Sequence, residues 1–208
     1  MLQALLDGSQ RPAGELARAA GVSASTASGH LHRLVDAGLL DARPRGRHRY
    51  YALAGPQVAA ALEALALIAP PLPVRSLRQA RTASALVEAR RCYDHLAGRA
   101  GVALRTSLVT GGALEPTGPR DHRLTDRGRV LLHDLGVRSD QLEDSRRMFA
   151  RDCLDWTERL PHLAGALPAA LLDRFLELNW VARCHGDRSL TITELGRRQL
   201  TDLLPDSH

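Results

Sequence analysis

The order Ala-Arg-x-Cys-x-Asp followed by His-Leu-Ala-Gly occurs twice in this chain. It runs without a break as ARRCYDHLAG over Ala89–Gly98, and returns as ARDCLD over Ala150–Asp155 and HLAG over His162–Gly165, with Trp156–Pro161 inserted between the two halves. Each copy continues with Ala-Leu, at Ala103-Leu104 and Ala170-Leu171, and then with an apolar strand start at Gly112-Ala113-Leu114 and Asn179-Trp180-Val181. Each closes on a threonine and a glycine ahead of a further helix, at Thr125 to Gly128 and Thr193 to Gly196. Similarity in fixed order implies duplicated structural units, each too small to bury its apolar face alone. The pattern predicts helix, helix, hairpin, helix in each unit, with Thr125 and Thr193 as N-caps. The hairpins are expected at Leu114–Leu124 and Val181–Ile192. The repeats span about 89–136 and 150–204 of a C-terminal domain over 83–208.

The first third of the chain is organised differently. Leu2–Leu6 reads as a helix end stopped by Asp7-Gly8, and Pro12-Ala13-Gly14-Glu15 opens the next helix. Gly21 sits where that helix must end in a left-handed conformation. Val22 plugs the turn, and Ser23 is an N-cap for a helix running to about Ala37. Ala27, Leu31, Leu34 and Val35 form one apolar stripe on it. Ser25, Thr26, Ser28, Gly29, His32 and Arg33 lie off that stripe, where short hydroxyls and a glycine allow close approach to bases and Arg33 can reach phosphates or base edges. On these residues alone a solvated αα-hairpin is the alternative. The next fifteen or so residues narrow the choice. Gly38 ends the helix, a strand begins at Leu39-Leu40, and Arg43-Pro44-Arg45-Gly46-Arg47-His48-Arg49 turns back into Tyr50-Tyr51-Ala52-Leu53. A β-hairpin with a guanidinium-rich tip beside such a helix has the form of a DNA-binding wing.

The segment PAGELARAAGVSASTASGHLHRLVDAGLLDARPRGRHRYYAL resembles the DNA-binding core of the ArsR/SmtB family of bacterial repressors. The resemblance rests on the ELA–GVS–ST–HL–L–AGLL series and the GRHRYY wing, within residues 2–69. It implies a winged helix-turn-helix, a homodimer, and a transcriptional repressor that leaves its operator when an effector binds. By position, Ser23, Ser25, Thr26, Ser28, His30, His32 and Arg33 would lie on or near the recognition helix, and Arg45, Arg47 and Arg49 on the wing. The helix opened by Gly55-Pro56-Gln57, carrying Val58, Leu62, Leu65 and Ile68, would help form the dimer. The family's usual metal positions are missing. The helix Gly14–Ala19 carries no cysteine, and Val58–Ile68 offers only Glu63 as a ligand. The element before Asp7-Gly8 is also shorter than the family's first helix. Ala69-Pro70-Pro71-Leu72-Pro73 reads as the start of a linker over 70–82, which separates the DNA-binding domain over 1–69 from the repeats.

Composition sets the remaining limits. The formal charge is +5, and every one of the 28 basic residues is arginine, so clustering rather than content points to a polyanion. No apolar run is long enough for a membrane span and no secretion signal is visible, which predicts a cytoplasmic protein. Cys92, Cys153 and Cys184 are odd in number and widely spaced, so they read as thiols rather than a disulfide framework. Cys92 and His95 are three apart and would share a helix face. With Cys153 and His162, brought beside them by the repeat symmetry, they could hold zinc or a thiophilic metalloid. The alternative is four buried packing residues, and no cofactor is required. Tyr93, Trp156 and Trp180 could line a pocket for an organic effector or anchor the core. Asp94 and Asp155 could pair with Arg90, Arg91 or Arg151 along one helix.

No nucleophile elbow, phosphate-binding Gly-Lys loop or H-E-x-x-H motif is present, so the chain is not expected to be an enzyme. The reading is therefore a mainly α protein with short β-hairpins: a winged helix-turn-helix followed by two degenerate winged-helix-like repeats. It implies a sequence-specific regulator that binds double-stranded DNA and itself, and a small molecule or metal as effector. An architectural DNA-binding protein without an effector, and a protein-interaction adaptor built of tandem winged helices, are the alternatives.

Overall fold

The computed structural model describes residues 1–69, 76–184 and 187–203. The chain divides into two compact units, Met1–Ala66 and Leu67–His208. Among the described residues no helix is long and apolar enough to cross a membrane.

In the first unit a 3-10 turn over Leu2–Leu5 precedes strand β1 (Arg11–Pro12), helix α1 (Ala13–Ala20), helix α2 (Ala24–Asp36), strands β2 (Leu40–Arg45) and β3 (His48–Leu53), and helix α3 (Pro56–Ile68). Gly21 ends α1 at φ +66°, a left-handed position that costs other residues a Cβ clash. Ser23 then starts α2, its side chain accepting from the Thr26 N–H at 3.2 Å. Leu5, Leu16, Leu31 and Leu40 are fully buried and form the centre of the unit. β2 and β3 make the expected hairpin in the register Leu40↔Leu53 to Arg45↔His48, with Gly46 at φ +62° in its tip. β1 adds a third strand through Arg11↔Tyr51 and Pro12↔Tyr50. Two residues are too short a run to read as a strand from sequence, and Pro12 suits an edge position because it has no N–H to give the ladder.

The second unit begins with α4 (Leu77–Glu88), a helix that starts inside the segment read as linker; residues 70–75 of that segment lie outside the described ones. The first repeat comprises β4 (Arg90–Cys92), β5 (His95–Ala97), α5 (Arg99–Thr110), β6 (Leu114–Pro116), β7 (Asp121–Leu124) and α6 (Asp126–Asp134). A short helix α7 (Ser139–Glu143) leads to the second repeat. It comprises β8 (Ala150–Leu154), β9 (Pro161–Ala164), α8 (Ala166–Glu177), β10 (Val181–Arg183), β11 (Leu190–Ile192) and α9 (Glu194–Leu203). Each unit is therefore hairpin, helix, hairpin, helix, and the helix expected across Ala89–Gly98 is a β-hairpin. The spacing misleads for a physical reason. Three residues separate neighbours on a helix face, and they also separate the residues that close a two-residue β-turn. Here Cys92 pairs with His95 across the turn, and Tyr93 takes φ +59° to make it. In the second copy Cys153 pairs with His162 across the strands, and the extra residues lengthen the loop and add one further pair, Leu154 with Pro161.

The two repeats exchange their parts. β6–β7 of the first joins β8–β9 of the second in one four-stranded sheet. β10–β11 of the second meets β4 of the first through an Arg90↔Ser189 bridge, with the Arg91 N–H donating to the Arg188 carbonyl at 2.8 Å. The helices cross over likewise, α5 packing on β9 and α8 on β5. Leu104, Leu132, Leu163, Leu171 and Phe175 from both copies share one core. Gly98 and Gly165 occupy matching positions at φ +79° and +122°. A Cβ there would stand 2.7 Å from the Val87 carbonyl oxygen and 2.6 Å from that of Met148. These close approaches are why both copies keep the Ala-Gly end of the motif. Thr125 and Thr193 cap α6 and α9 as expected, accepting from Gly128 and Gly196 N–H groups at 3.1 and 2.9 Å.

Candidate functional site

The candidate chemistry lies on two exposed features and in one buried cluster. The exposed features are the outer side of α2 and the tip of the β2–β3 hairpin. α2 buries Ala27 and Leu31 completely, with Leu34 and Val35 partly covered, and rests on α1 and β2. That leaves Ser23, Ser25, Thr26, Ser28, Gly29, His30, His32 and Arg33 exposed. The three hydroxyls at the helix start bond one another, Ser23 Oγ lying 3.0 Å from Ser25 Oγ and 2.8 Å from Thr26 Oγ1. A Cβ added at Gly29 would meet nothing within 4 Å, so its absence serves no packing inside the chain. Arg43, Arg45, Arg47 and Arg49 are all exposed on the hairpin, and the Arg45 guanidinium lies over the Tyr50 ring at 5.8 Å. The helix and wing residues singled out from the sequence are thus all solvent-accessible on one unit. Arg45, Arg47 and Arg49 set charged, multiply donating groups at the end of a two-stranded arm.

α3 completes this unit. Its sequence carries one ionisable residue, Glu63, and that residue is buried together with Ala59. The stripe of Val58, Leu62, Leu65 and Ile68 is not in the core. Leu65 is 57% and Ile68 80% exposed.

The buried cluster lies in the C-terminal unit. Cys92, His95, Cys153 and His162 are all buried, and their ligand atoms all lie within 4.8 Å of one another. The two cross-strand pairs supply two ligands each, and the exchange of parts between repeats brings the hairpins together. His95 Nε2 stands 3.2 Å from His162 Nε2, and the rings tilt by 33°. Each histidine is held from behind by the aspartate of its own repeat. His95 Nδ1 is 3.1 Å from Asp94 Oδ1, and His162 Nδ1 is 3.3 Å from Asp155 Oδ2.

Each aspartate has an arginine of its own. Arg147 reaches Asp94 Oδ2 at 2.6 Å from the segment before β8. Arg90 meets Asp155 Oδ2 at 2.9 Å, with both side chains wholly buried. The pairing expected along one helix is not what forms: Asp155 pairs with Arg90 across the two repeats, and Asp94 with Arg147. Asp155 also accepts from the Gly98 N–H at 2.7 Å and from the Thr157 N–H and hydroxyl at 2.9 and 2.7 Å. The Trp156 ring covers the Arg90 guanidinium at 4.9 Å.

These contacts set the charges. Burial alone would raise the Asp155 carboxyl. The His162 ring at 3.3 Å, the Arg90 charge and the Thr157 and Gly98 donors outweigh it and hold the group far below the usual carboxylate range. Cys153 is pushed down to about 2, first by the hydrogen bond from Cys92 and then by His162 and His95, against its burial. Burial would lower His162, but Asp155 and the Cys153 sulfur raise it to about 9. The cluster thus pairs an anionic Cys153 sulfur with a protonated His162 ring. With that ring deprotonated, two sulfurs and two imidazole nitrogens make a donor set that suits a borderline or soft cation.

Arg147 and Thr157 carry no signal in the sequence, because neither lies in the repeated motif. The repeated Asp does carry one, as a partner of its neighbouring His. Cys184 stands apart, its sulfur 3.3 Å from Thr191 Oγ1, and His185 lies outside the described residues. Of the three aromatics, Trp180 stacks on Phe175 in the core at 5.5 Å, Trp156 covers Arg90, and Tyr93 forms the β4–β5 turn.

Comparison with known proteins bears on the α2 surface. The helix-turn-helix domain family matches residues 1–43, which hold α1, the Gly21 turn and α2. Over 197 residues the chain is 44% identical to a Bacillus subtilis (strain 168) protein named uncharacterized HTH-type transcriptional regulator YdfF. The match covers 95% of this chain and 87% of the relative. The chain belongs to the helix-turn-helix family of transcriptional regulators. For this regulator the likeness runs beyond the DNA-binding unit, because 197 matched residues necessarily include most of the repeat region as well.

Proposed function

We propose that this regulator is a sequence-specific, DNA-binding homodimer of the ArsR/SmtB type that represses transcription in the cytoplasm and leaves its operator when an effector binds. The observation that carries the reading is the division of α2. One stripe is buried on Ala27 and Leu31, and the opposite side offers small hydroxyls, a glycine, His32 and Arg33 to solvent. In this reading α2 enters the major groove, with Ser25, Thr26, Ser28, His30, His32 and Arg33 toward bases and phosphates. Arg45, Arg47 and Arg49 on the wing supply much of the salt-dependent affinity. The partner copy is met through α3, whose exposed Leu65 and Ile68 extend an apolar face of the kind that marks an interaction surface.

The region over 83–208 holds the effector response. Coupling requires that the effector favour one arrangement of the two recognition helices over another. The test is selection of bound duplexes from a random DNA pool, repeated with zinc, arsenite, an oxidant or small metabolites. The expected result is an inverted repeat with half-sites about one helical turn apart, or a multiple of it, whose recovery one additive abolishes. Salt-dependent binding without sequence preference would replace this reading with an architectural protein. Failure to bind any duplex at low salt, with a protein partner recovered instead, would replace it with an adaptor.

A further inference from the structure

We infer that Cys92, His95, Cys153 and His162 form a closed zinc site that staples the two repeats of the C-terminal unit together. The inference stands on the second unit alone and does not depend on how the first unit meets DNA.

Three observations converge on it. The first concerns the tautomers. A carboxylate only accepts hydrogen bonds, so Asp94 draws the ring proton of His95 to Nδ1, and Asp155 Oδ2 stands 3.3 Å behind His162 Nδ1. The two Nε2 atoms face each other across 3.2 Å. Two lone pairs at that distance repel unless a proton or a metal cation lies between them. Two nitrogens bound to one tetrahedral zinc at about 2.0–2.1 Å stand roughly 3.3 Å apart.

The second concerns charge. Asp155 is neutralised by Arg90 and Asp94 by Arg147, so neither carboxylate is left to balance the centre. A divalent ion with two thiolates and two neutral imidazoles is itself neutral, which is the condition for burying it cheaply. The third is closure. All four donors are buried and two come from each repeat, so the chain itself supplies the four ligands of a structural tetrahedral site. Two sulfurs with two imidazoles select zinc over hard cations. Arsenite binds best through several thiolates, and this centre offers two. Asp94 and Asp155 are the positioning residues, each fixing a ring and raising its basicity from behind.

The test uses the full chain, purified without chelator. Elemental analysis should find about one zinc per chain, and replacement by cobalt(II) should give the intense visible bands of a tetrahedral site with sulfur ligands. Cys92→Ser and Cys153→Ser should each abolish those bands, while Cys184→Ser leaves them unchanged. Asp94→Asn should keep the spectrum and weaken zinc affinity by about 10–100-fold in a chelator competition. If the cysteine variants fail to fold, the wild-type spectrum and its loss on chelation decide the matter. A protein without metal that neither takes up zinc nor develops the cobalt bands overturns the inference. So does a Cys92–Cys153 disulfide found by mass after alkylation under denaturing conditions. Iron or copper at full occupancy in place of zinc overturns the choice of ion.

Discussion

Arg90 and Asp155 form an ion pair of 2.9 Å between side chains that are both entirely withdrawn from solvent, one from each repeat. Asp155 then passes the constraint on to His162 and to the Gly98 N–H, so a single carboxylate of the second copy's loop links that copy's strand at His162 to the strand and helix start of the first. A buried pair of this kind is held by its geometry. Its two charges have no water to fall back on.

Removing one member should therefore be costly. Asp155→Asn and Arg90→Met are each expected to destabilise the C-terminal unit by about 3–5 kcal/mol, since each removes the opposite charge from a wholly buried ion pair. The double variant should lose clearly less than the two effects added together. Urea unfolding of the three variants followed by circular dichroism checks both statements.

Gly29 separates stability from recognition. Gly29→Ala meets open space and removes a weak helix former, so stability should hold or rise by up to about 1 kcal/mol. If α2 lies against bases, the added methyl should at the same time lower operator affinity by about tenfold. Thermal melting and a gel-shift titration on the same preparation give the two readings. Unchanged DNA affinity would remove Gly29 from the interface.

The wing should act through phosphates. Arg45→Ala, Arg47→Ala and Arg49→Ala are each expected to weaken binding to all sequences alike. For every phosphate that a variant no longer neutralises, the slope of log affinity against log salt should become shallower by about 1. Titrations at several salt concentrations on operator and scrambled duplexes test this. A change confined to one base position would assign that arginine to base reading instead.

The exposed side of α3 should be a contact between copies. Leu65→Glu with Ile68→Glu places charges on a face that is apolar and open in the single chain. Sedimentation equilibrium should show a dimer for the wild type and a monomer for the variant, with circular dichroism unchanged. A wild-type monomer at operator-binding concentrations would exclude the dimer.

Asp7 predicts an acid-sensitive contribution in the N-terminal unit. Burial would raise its carboxyl, but the Ser9 hydroxyl and N–H and the Arg11 guanidinium hold it below its ordinary value of 3.8. A group lowered on folding stabilises above its unfolded pKa and loses that contribution as pH falls through the folded one. Asp7→Asn should cost about 1 kcal/mol at pH 7, and the difference from wild type should shrink steadily below about pH 4. Urea midpoints at neutral pH and well below the carboxylate range check the sign.

The first unit is largely legible because its rules are local. Gly21 and Ser23 punctuate the chain within a few residues, and Ala27 and Leu31 face inward by helical period alone. Gly46 likewise turns an arginine-rich segment back on itself. The Cys/His motif is legible as a repeat but not as a shape. A spacing of three serves a helix face and a tight hairpin equally, and only the pairing of β4 with β5 chooses between them. Which arginine serves which aspartate is invisible in the sequence, since Arg147 lies 53 residues from Asp94 and in no motif. Local sequence sets turns, caps and periods because those energies involve neighbours in the chain. The meeting of two histidines 67 residues apart depends on how the two copies trade hairpins and helices, and that is settled by burial of the shared core.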